Sequence, residues 1–215
     1  MVRTKLVYPK ILGSGSAPIG RCIAFEKYDG TNLHWVWERE LGWYAFGTRR
    51  SRFDLDQLGI AEFTAAHEGL EQAPFIFLDS LAESLTNVLT QQNFYQSNEI
   101  IAFTEFLGSN SFAGKHRHTD RKQLVLFDIQ TQAGFLPPDR FVSDFGALAI
   151  ARVIYRGKLT GKFIHDVREG RYDVAEGVVC KGESDNQIWM VKIKTNAYME
   201  TLKQAFADDW ENYWE

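Results

Sequence analysis

The alternation of hydrophobic and polar residues predicts a chain built mostly of short strands. Runs rich in β-branched and aromatic residues predict strands at 21–25, 33–37, 43–46, 99–107, 123–129, 176–181 and 188–194. Apolar residues at helical spacing predict helices at 77–90, after Pro137-Pro138-Asp139, and at about 196–213. We therefore predict a single α+β domain over residues 1–215, with mostly antiparallel sheets flanked by helices and no separate C-terminal domain.

Composition and charge narrow the classes of protein to which this chain can belong. The 215 residues are 45% hydrophobic, enough for a large core, and the net charge of −4 excludes a globally basic nucleic-acid coat. If the protein binds a polyanion such as a nucleic acid, it must do so through a local basic patch. Cys22 and Cys180 lie in apolar runs, as reduced thiols do, and the N-terminus has no signal-peptide pattern. We expect a cytoplasmic protein.

The segment EKYDGTN at 26–32 places Lys27 between a strand and a tight turn. A lysine held at a strand end can serve as a nucleophile, because burial or neighbouring cations favour the neutral amine that attacks. The alternative is a solvated hairpin end, since Asp-Gly is a common hairpin turn. Other parts of the chain must decide between these interpretations.

A second candidate is WMVKIKT at 189–195, where Lys192 and Lys194 are two residues apart in a predicted strand. Their amines should project from the same face of the sheet. Two such cations repel each other unless an anion binds between them, and phosphate is the usual anion. The alternative is the solvent face of an edge strand.

Two glutamates accompany predicted strands. Glu176 opens the apolar strand EGVVCKG and could bind a sugar hydroxyl or a hydrated divalent cation, or form a strand-capping charge pair. Glu105 lies within AFTEFLG among aromatic residues, where a charge must be paired or bind a ligand. The alternative is that Glu105 forms a structural salt bridge.

The remaining candidates are an aromatic residue and two basic segments. Phe127, in LVLFDI, could pack in the core or stack on a nucleobase. GTRRSR at 47–52 and KHRHTDRK at 115–122 could contact phosphates or form solvated surface. His116 and His118 alternate as metal ligands can, but no carboxylate or cysteine completes a zinc site.

Together, six segments occur in the order of the motifs of the covalent nucleotidyltransferases, the superfamily of DNA ligases, RNA ligases and mRNA-capping enzymes. KYDG resembles motif I, TRRS motif Ia, FTEFLG motif III, LVLFDI motif IIIa, EGVVCK motif IV and VKIK motif V. EKxxGTN is most similar to the RNA ligase 2-like branch, because DNA ligases and capping enzymes usually have arginine at the position of Asn32. The resemblance spans about residues 22–195 and implies the ligase adenylation-domain fold.

The resemblance also implies catalytic roles. Lys27 would take AMP from ATP as a lysyl-phosphoramidate, and Lys192 and Lys194 would hold the α-phosphate. Glu176 would position a divalent cation, Mg²⁺ or Mn²⁺. Glu105 would bind the ribose and complete the carboxylates assigned to the metal.

The other motif residues would contact the nucleotide. Phe127 would stack on adenine opposite Val179. Residues implied to lie near the rest of the nucleotide are Glu26, Thr31, Asn32, and Arg49 or Arg50, which compete for one motif position.

The implied activity is that of an ATP-dependent RNA ligase that acts on RNA 5′-phosphate and 3′-hydroxyl ends, with RNA repair as its setting and no membrane association. A DNA ligase, a capping-type enzyme and a non-catalytic nucleotide- or RNA-binding module are the alternatives. Many relatives continue into a further domain after motif V. We therefore expect a minimal ligase core, a truncated piece, or an enzyme whose polynucleotide clamp is a partner protein.

Overall fold

The computed structural model describes residues 8–18, 20–91, 99–185, 187–208 and residue 210. The strands are β1 (Leu12–Gly13), β2 (Arg21–Lys27), β3 (Thr31–Glu38), β4 (Gly42–Thr48), β5 (Arg52–Asp54), β6 (Ile100–Gly108), β7 (Lys122–Thr131), β8 (Gly134–Phe135), β9 (Val153–Lys158), β10 (Gly177–Ser184) and β11 (Gln187–Lys194). The α-helices are α1 (Gln57–Ala66), α2 (Ala73–Phe77), α3 (Glu83–Gln91), α4 (Pro138–Phe145), α5 (Gly161–Arg168) and α6 (Asn196–Phe206). The predicted α+β class with mostly antiparallel sheets is confirmed.

The helical boundaries differ in part from the sequence prediction. The predicted helix at 77–90 begins at Ala73, and a π-helical stretch, Leu78–Ala82, joins α2 to α3. The wider π turn shifts the helical register, and Leu78 is 44% exposed while Leu81 is buried. The last helix ends at Phe206, and residues 209 and 211–213 of the prediction lie outside the described residues.

The chain packs as two compact units, which are described separately. The first comprises the described residues of Met1–Pro9, Asp29–Leu136 and Arg140–Ile150. The second comprises those of Lys10–Tyr28, Pro137–Asp139 and Ala151–Glu215. The sequence-based expectation of one adenylation domain over the whole chain stays a prediction.

The first unit contains a six-stranded sheet in the order β5-β4-β3-β6-β7-β8. One face is covered by aromatic packing around Trp35, whose ring stacks on Phe77 at a centroid distance of 3.9 Å and on Phe46 at 5.4 Å. The indole N–H donates to Thr104 Oγ1 at 2.8 Å, so the buried polar atom is satisfied. This packing joins α2 to the central strands of the sheet.

The second unit contains a five-stranded sheet in the order β1-β11-β10-β2-β9. Its apolar face packs on α5 through Phe163 and Val167, while Cys22, Val178 and Ile193 supply sheet residues of this core. Cys22 and Cys180 are free thiols, as expected. Among the described helices of the chain, none is long and apolar enough to cross a membrane.

Candidate active site

The three central strands of the second unit bring the motif I and motif V lysines to one face of the sheet. β10 lies between β2 and β11, and the antiparallel register pairs Gly177 with both Lys27 and Lys194. Two residues along, Val179 pairs with Lys192. Because directly paired residues project from the same face, the three lysines share one face with Val179.

Glu176 lies between two of these cations. Its Oε1 is 2.8 Å from Lys27 Nζ and 3.4 Å from Lys194 Nζ. The side chains of Glu176 and Lys194 are 3% and 7% exposed, whereas that of Lys27 is 25% exposed. A buried carboxylate requires such partners. Lys27 is therefore held by an ion pair at the end of β2, and the interpretation of a solvated hairpin end does not describe it.

Lys192 is half-buried beside the other two lysines. Burial, together with the positive charges of Lys194 and Lys27, lowers the pKa of Lys192 to about 8, while Glu176 opposes this shift. β11 is also paired on both sides, with β1 and β10. The alternative of a solvent-facing edge strand is therefore wrong, and the clustered cations favour an anionic ligand such as phosphate.

Gly177 makes the strand arrangement around Glu176 possible. Its φ is +155°, and a Cβ at this position would lie 2.0 Å from the Ile193 carbonyl oxygen. No other residue fits this close approach of β10 to β11 without displacing backbone. The glycine that follows Glu176 in motif IV is therefore required by the close approach of the two strands.

Lys181 is a buried cation that the sequence analysis did not single out as a site residue. It is 4% exposed, and its Nζ lies 5.2 Å from the centroid of the Phe25 ring. Alternation along β10 places Lys181 on the same face as Val179. The alternation within EGVVCK could have predicted from the sequence that Lys181 lies on this face.

Glu26 does not join the lysine cluster. It pairs with Val178, which belongs to the core on the other face of the sheet. Its Oε2 accepts a hydrogen bond from Arg152 Nε at 2.9 Å. The Glu26 side chain therefore has a structural partner in this arrangement, and Arg152 is a residue that the sequence analysis did not identify.

In the first unit, Glu105 contacts the turn that follows Lys27 in the sequence. Its Oε1 accepts a hydrogen bond from the Gly30 N–H at 3.1 Å. A Cβ on Gly30 would lie 2.4 Å from the Phe106 carbonyl oxygen, so the turn packs closely on β6. Asn32 pairs with Glu105 across β3 and β6, which places both side chains on one face.

The arginines of motif Ia lie in an ordered turn after β4. Thr48 Oγ1 accepts a hydrogen bond from the Arg50 N–H at 3.3 Å and lies 2.8 Å from Ser51 Oγ. Arg49 and Arg50 are both exposed, and Arg49 donates to the Tyr8 carbonyl oxygen at 3.4 Å. Both side chains are thus presented at the surface of the first unit.

Phe127 lies at an irregularity of β7. Phe103 pairs with Asp128 and Thr104 with Leu126, so Phe127 is the extra residue of a bulge. Its ring is partly exposed and lies edge-on to Tyr8 at a centroid distance of 5.0 Å. Phe127 belongs to the first unit and Val179 to the second, so the predicted sandwich of adenine between them stays a prediction.

The Glu176 carboxylate is suited to hold a divalent cation that is also bound by substrate phosphates. Glu176 Oε2 is buried and has no hydrogen-bond partner within the described part of the chain. The same residues contain no cluster of three or more histidine, cysteine, aspartate or glutamate side chains able to hold a metal. Mg²⁺ typically binds through one or two carboxylates plus substrate phosphates, which fits such a site.

Comparison of the sequence with protein families gives a clear match. The family model described as RNA ligase matches residues 20–194. The chain belongs to the RNA ligase family. The match extends from the first residues of β2 to the end of β11 and therefore includes Lys27, Glu176 and Lys194. No curated protein matches the sequence.

Solved structures of ligases share this RNA ligase family fold. An archaeal ATP-dependent RNA ligase has a TM-score of 0.59 at 14% identity, with 95% of this chain and 52% of that chain covered. A putative ATP-dependent DNA ligase from Aquifex aeolicus has a TM-score of 0.59 at 14% identity, covering 96% and 56%. A Naegleria gruberi RNA ligase mutant with AMP and Mn has a TM-score of 0.54 at 16% identity, covering 84% and 51%. The chain thus spans about half the length of these proteins.

Proposed function

We propose that this protein is an ATP-dependent RNA ligase that acts through a lysyl-AMP intermediate. Lys27 Nζ would attack the α-phosphorus of ATP, forming a P–N bond while the P–O bond to pyrophosphate breaks and Nζ loses a proton. An RNA 5′-phosphate would then take the AMP and release the lysine. Finally the RNA 3′-hydroxyl would displace AMP and form the phosphodiester.

The observation that carries this proposal is the group of Lys27, Glu176, Lys192 and Lys194 in the second unit. The ion pair orients Lys27, and Glu176 Oε1, at 2.8 Å, is within hydrogen-bond distance to accept its proton. Negative charge grows on the α-phosphate oxygens during attack, and the motif V lysines are suited to stabilise it.

A divalent cation, Mg²⁺ or Mn²⁺, is part of the proposal. Glu176 would hold it, since its buried Oε2 has no hydrogen-bond partner among the described residues, and Glu105 is the second carboxylate assigned to the metal. When bound, the cation would neutralise charge on the phosphates.

The nucleotide contacts follow the motif residues. We assign the ribose to Glu105 and Asn32, which share one face of β3 and β6. Phe127, the extra residue of the β7 bulge, is assigned to adenine together with Val179. Thr31 and either Arg49 or Arg50 are assigned to the remaining nucleotide contacts. Related structures of Naegleria gruberi RNA ligase mutants contain AMP and Mn, which supports the choice of ligands.

RNA is the proposed polynucleotide because the chain belongs to the RNA ligase family and has Asn32 after the motif I turn. The basic segments 47–52 and 115–122 are proposed as strand-contacting surfaces.

Labelling with α-³²P-ATP tests the nucleophile. Wild-type protein should become labelled, and Lys27→Ala should abolish the label. Lys27→Arg should also abolish it while keeping the positive charge beside Glu176, because a guanidinium stays protonated. Lys158→Arg, an exposed lysine of β9, is the matched control and should label normally. Persistent labelling of the Lys27 variants would exclude this assignment.

Matched nicked substrates test the class of ligase. We expect sealing of RNA nicks with ATP. Labelling by GTP in preference to ATP would indicate a capping-type enzyme, and sealing of DNA but not RNA would indicate a DNA ligase. Binding of ATP without release of pyrophosphate would indicate a nucleotide-binding module.

A further inference from the structure

The loop between β6 and β7, residues 109–121, is fastened to the turn that follows Lys27 in the sequence. We call it the β6–β7 loop. Asp29 accepts hydrogen bonds from the N–H groups of Ala113 at 2.8 Å and Gly114 at 3.3 Å. Ala113 and Gly114 have φ values of +52° and +73°, and successive N–H groups in such turns converge on one anion. Here that anion is the Asp29 carboxylate.

His116 makes a second connection between the β6–β7 loop and this turn. Its Nε2 lies 2.8 Å from Thr31 Oγ1, and its Nδ1 lies 3.0 Å from Ser111 Oγ. The ring is half-buried against Phe106 at a centroid distance of 5.0 Å. Both ring nitrogens therefore have partners and the ring packs on Phe106, so His116 is not a solvated residue of a basic surface loop.

The surrounding hydrogen bonds favour one direction for these contacts. Ser111 Oγ already accepts from the Gly108 N–H at 2.6 Å, so its hydroxyl proton is available for His116 Nδ1. When Thr31 donates its proton to the Gly114 carbonyl oxygen, 3.3 Å away, its own oxygen accepts from His116 Nε2–H, 2.8 Å away. A neutral imidazole with its proton on Nε2 satisfies every group in the chain.

This order of donors and acceptors determines what Thr31 can offer a ligand. In this arrangement the Thr31 hydroxyl donates its single proton to the Gly114 carbonyl oxygen and accepts from His116 with one lone pair. Its second lone pair is then left to accept a hydrogen bond from a ligand. A ribose hydroxyl can donate to it, whereas a phosphate oxygen cannot. Glu105, to which the ribose is assigned, bonds the neighbouring residue Gly30.

We infer that His116 is a positioning residue that orients the Thr31 hydroxyl as an acceptor for the nucleoside part of the substrate. This inference rests on the proposed function, because it takes ATP as the substrate. The β6–β7 loop then has a role besides contact with a strand: it supports the motif I turn from the first unit. His116 itself would not contact the nucleotide.

Equilibrium binding of AMP and of α,β-methylene-ATP, which cannot transfer its adenylyl group, tests the inference. His116→Ala should weaken both about five- to tenfold, the loss expected for one misdirected hydrogen bond. Binding of tripolyphosphate, which has no ribose, should change less than twofold. His116→Gln keeps an N–H donor for Thr31 and should recover most of the affinity.

A double-mutant cycle with Thr31→Val separates positioning from a general structural effect. If His116 acts through Thr31, His116→Ala should cause no further loss of AMP affinity in the Thr31→Val protein. Additive losses, an equal loss of tripolyphosphate binding, or unchanged AMP affinity in His116→Ala would overturn the inference. His165→Ala, an exposed histidine of α5, controls for histidine removal.

The two proposals fail in different ways. Wild-type protein that binds no adenine nucleotide would contradict the proposed function and, with it, the inference. Wild-type protein that binds AMP and labels at Lys27, but is indifferent to His116→Ala, would contradict the inference alone.

Discussion

At the scale of single residues, the candidate site is a cluster of three lysines around one buried carboxylate. Lys27, Lys192 and Lys194 share one face of the second unit's sheet, and Glu176 pairs with two of them. The shift in the pKa of Lys192 follows from its burial and from these neighbouring cations. In the proposed function an ATP phosphate would bind beside these lysines, so the chemistry can be tested through the protonation of Lys192.

We predict that kcat/KM for self-adenylylation falls as the pH rises above about 8, the pKa of Lys192 in the free enzyme. Deprotonation removes a cation that would stabilise the phosphate. With ATP bound, the anion raises the pKa of Lys192, so the corresponding decrease in kcat should occur at higher pH. The pH profile of the initial labelling rate measures both quantities.

Lys192→Arg is the control for this pH dependence, because arginine stays charged across the range. It should remove the decrease in kcat/KM relative to wild type. Identical profiles for wild type and Lys192→Arg would assign the decrease to another group.

At the scale of secondary-structure elements, the site depends on how closely neighbouring strands approach each other. β10 lies against β11 with Gly177 facing the Ile193 carbonyl oxygen, and the motif I turn lies against β6 with Gly30 facing that of Phe106. In both places a missing side chain permits the approach. Each glycine adjoins a residue assigned to the site, Glu176 or Thr31.

We predict that Gly177→Ala destabilises the protein by at least about 2 kcal/mol, because the added methyl must displace backbone in β11. Gly161→Ala, at the first residue of α5, meets no atom within 4 Å and should be neutral or slightly stabilising. Urea unfolding of both variants measures the difference. A Gly177→Ala protein within about 0.5 kcal/mol of wild type would contradict this account.

The elements were not all equally predictable from the sequence. The strands of the motifs follow their apolar runs closely. α4 begins at Pro138, within the Pro137-Pro138-Asp139 segment after which the sequence predicted its start, because proline is well suited to the first turn of a helix. α5 has an N-cap, Thr160, whose side chain accepts from the Phe163 N–H, but its eight residues are too few for a strong periodic signal. It is fixed instead by packing of Phe163 and Val167 on the sheet.

At the scale of the whole molecule, the proposed binding of RNA must be reconciled with a net charge of −4. The basic segments 47–52 and 115–122 are local exceptions on an acidic protein, and both belong to the first unit. Phosphate contacts made by a few exposed cations give a characteristic salt dependence. That dependence should distinguish the RNA steps from the nucleotide step.

We predict that transfer of AMP to RNA is more sensitive to salt than self-adenylylation. Replacing the exposed residues Lys115, Arg117 and Arg121 by serine should lower the slope of log affinity for single-stranded RNA against log salt by about 2. Self-adenylylation of this variant should stay within about twofold of wild type.

Arg39→Ser, an exposed arginine in the β3–β4 connection, is the control for this salt dependence and should leave the slope unchanged. An unchanged slope in the triple variant would exclude the β6–β7 loop as a strand-contacting surface.

The sequence by itself determined the α+β class, the order of the motifs and the position of Lys192 and Lys194 on the same face of a strand. These features depend on local periodicity and spacing. The tertiary structure decided which charges meet. Glu176 pairs with Lys27 and Lys194 across three strands, whereas Glu26, one residue from Lys27, pairs with Arg152 on the opposite face. His116 likewise contacts Thr31 although 85 positions separate them. Strand register and loop closure set such contacts, and neither is encoded in any short stretch of sequence.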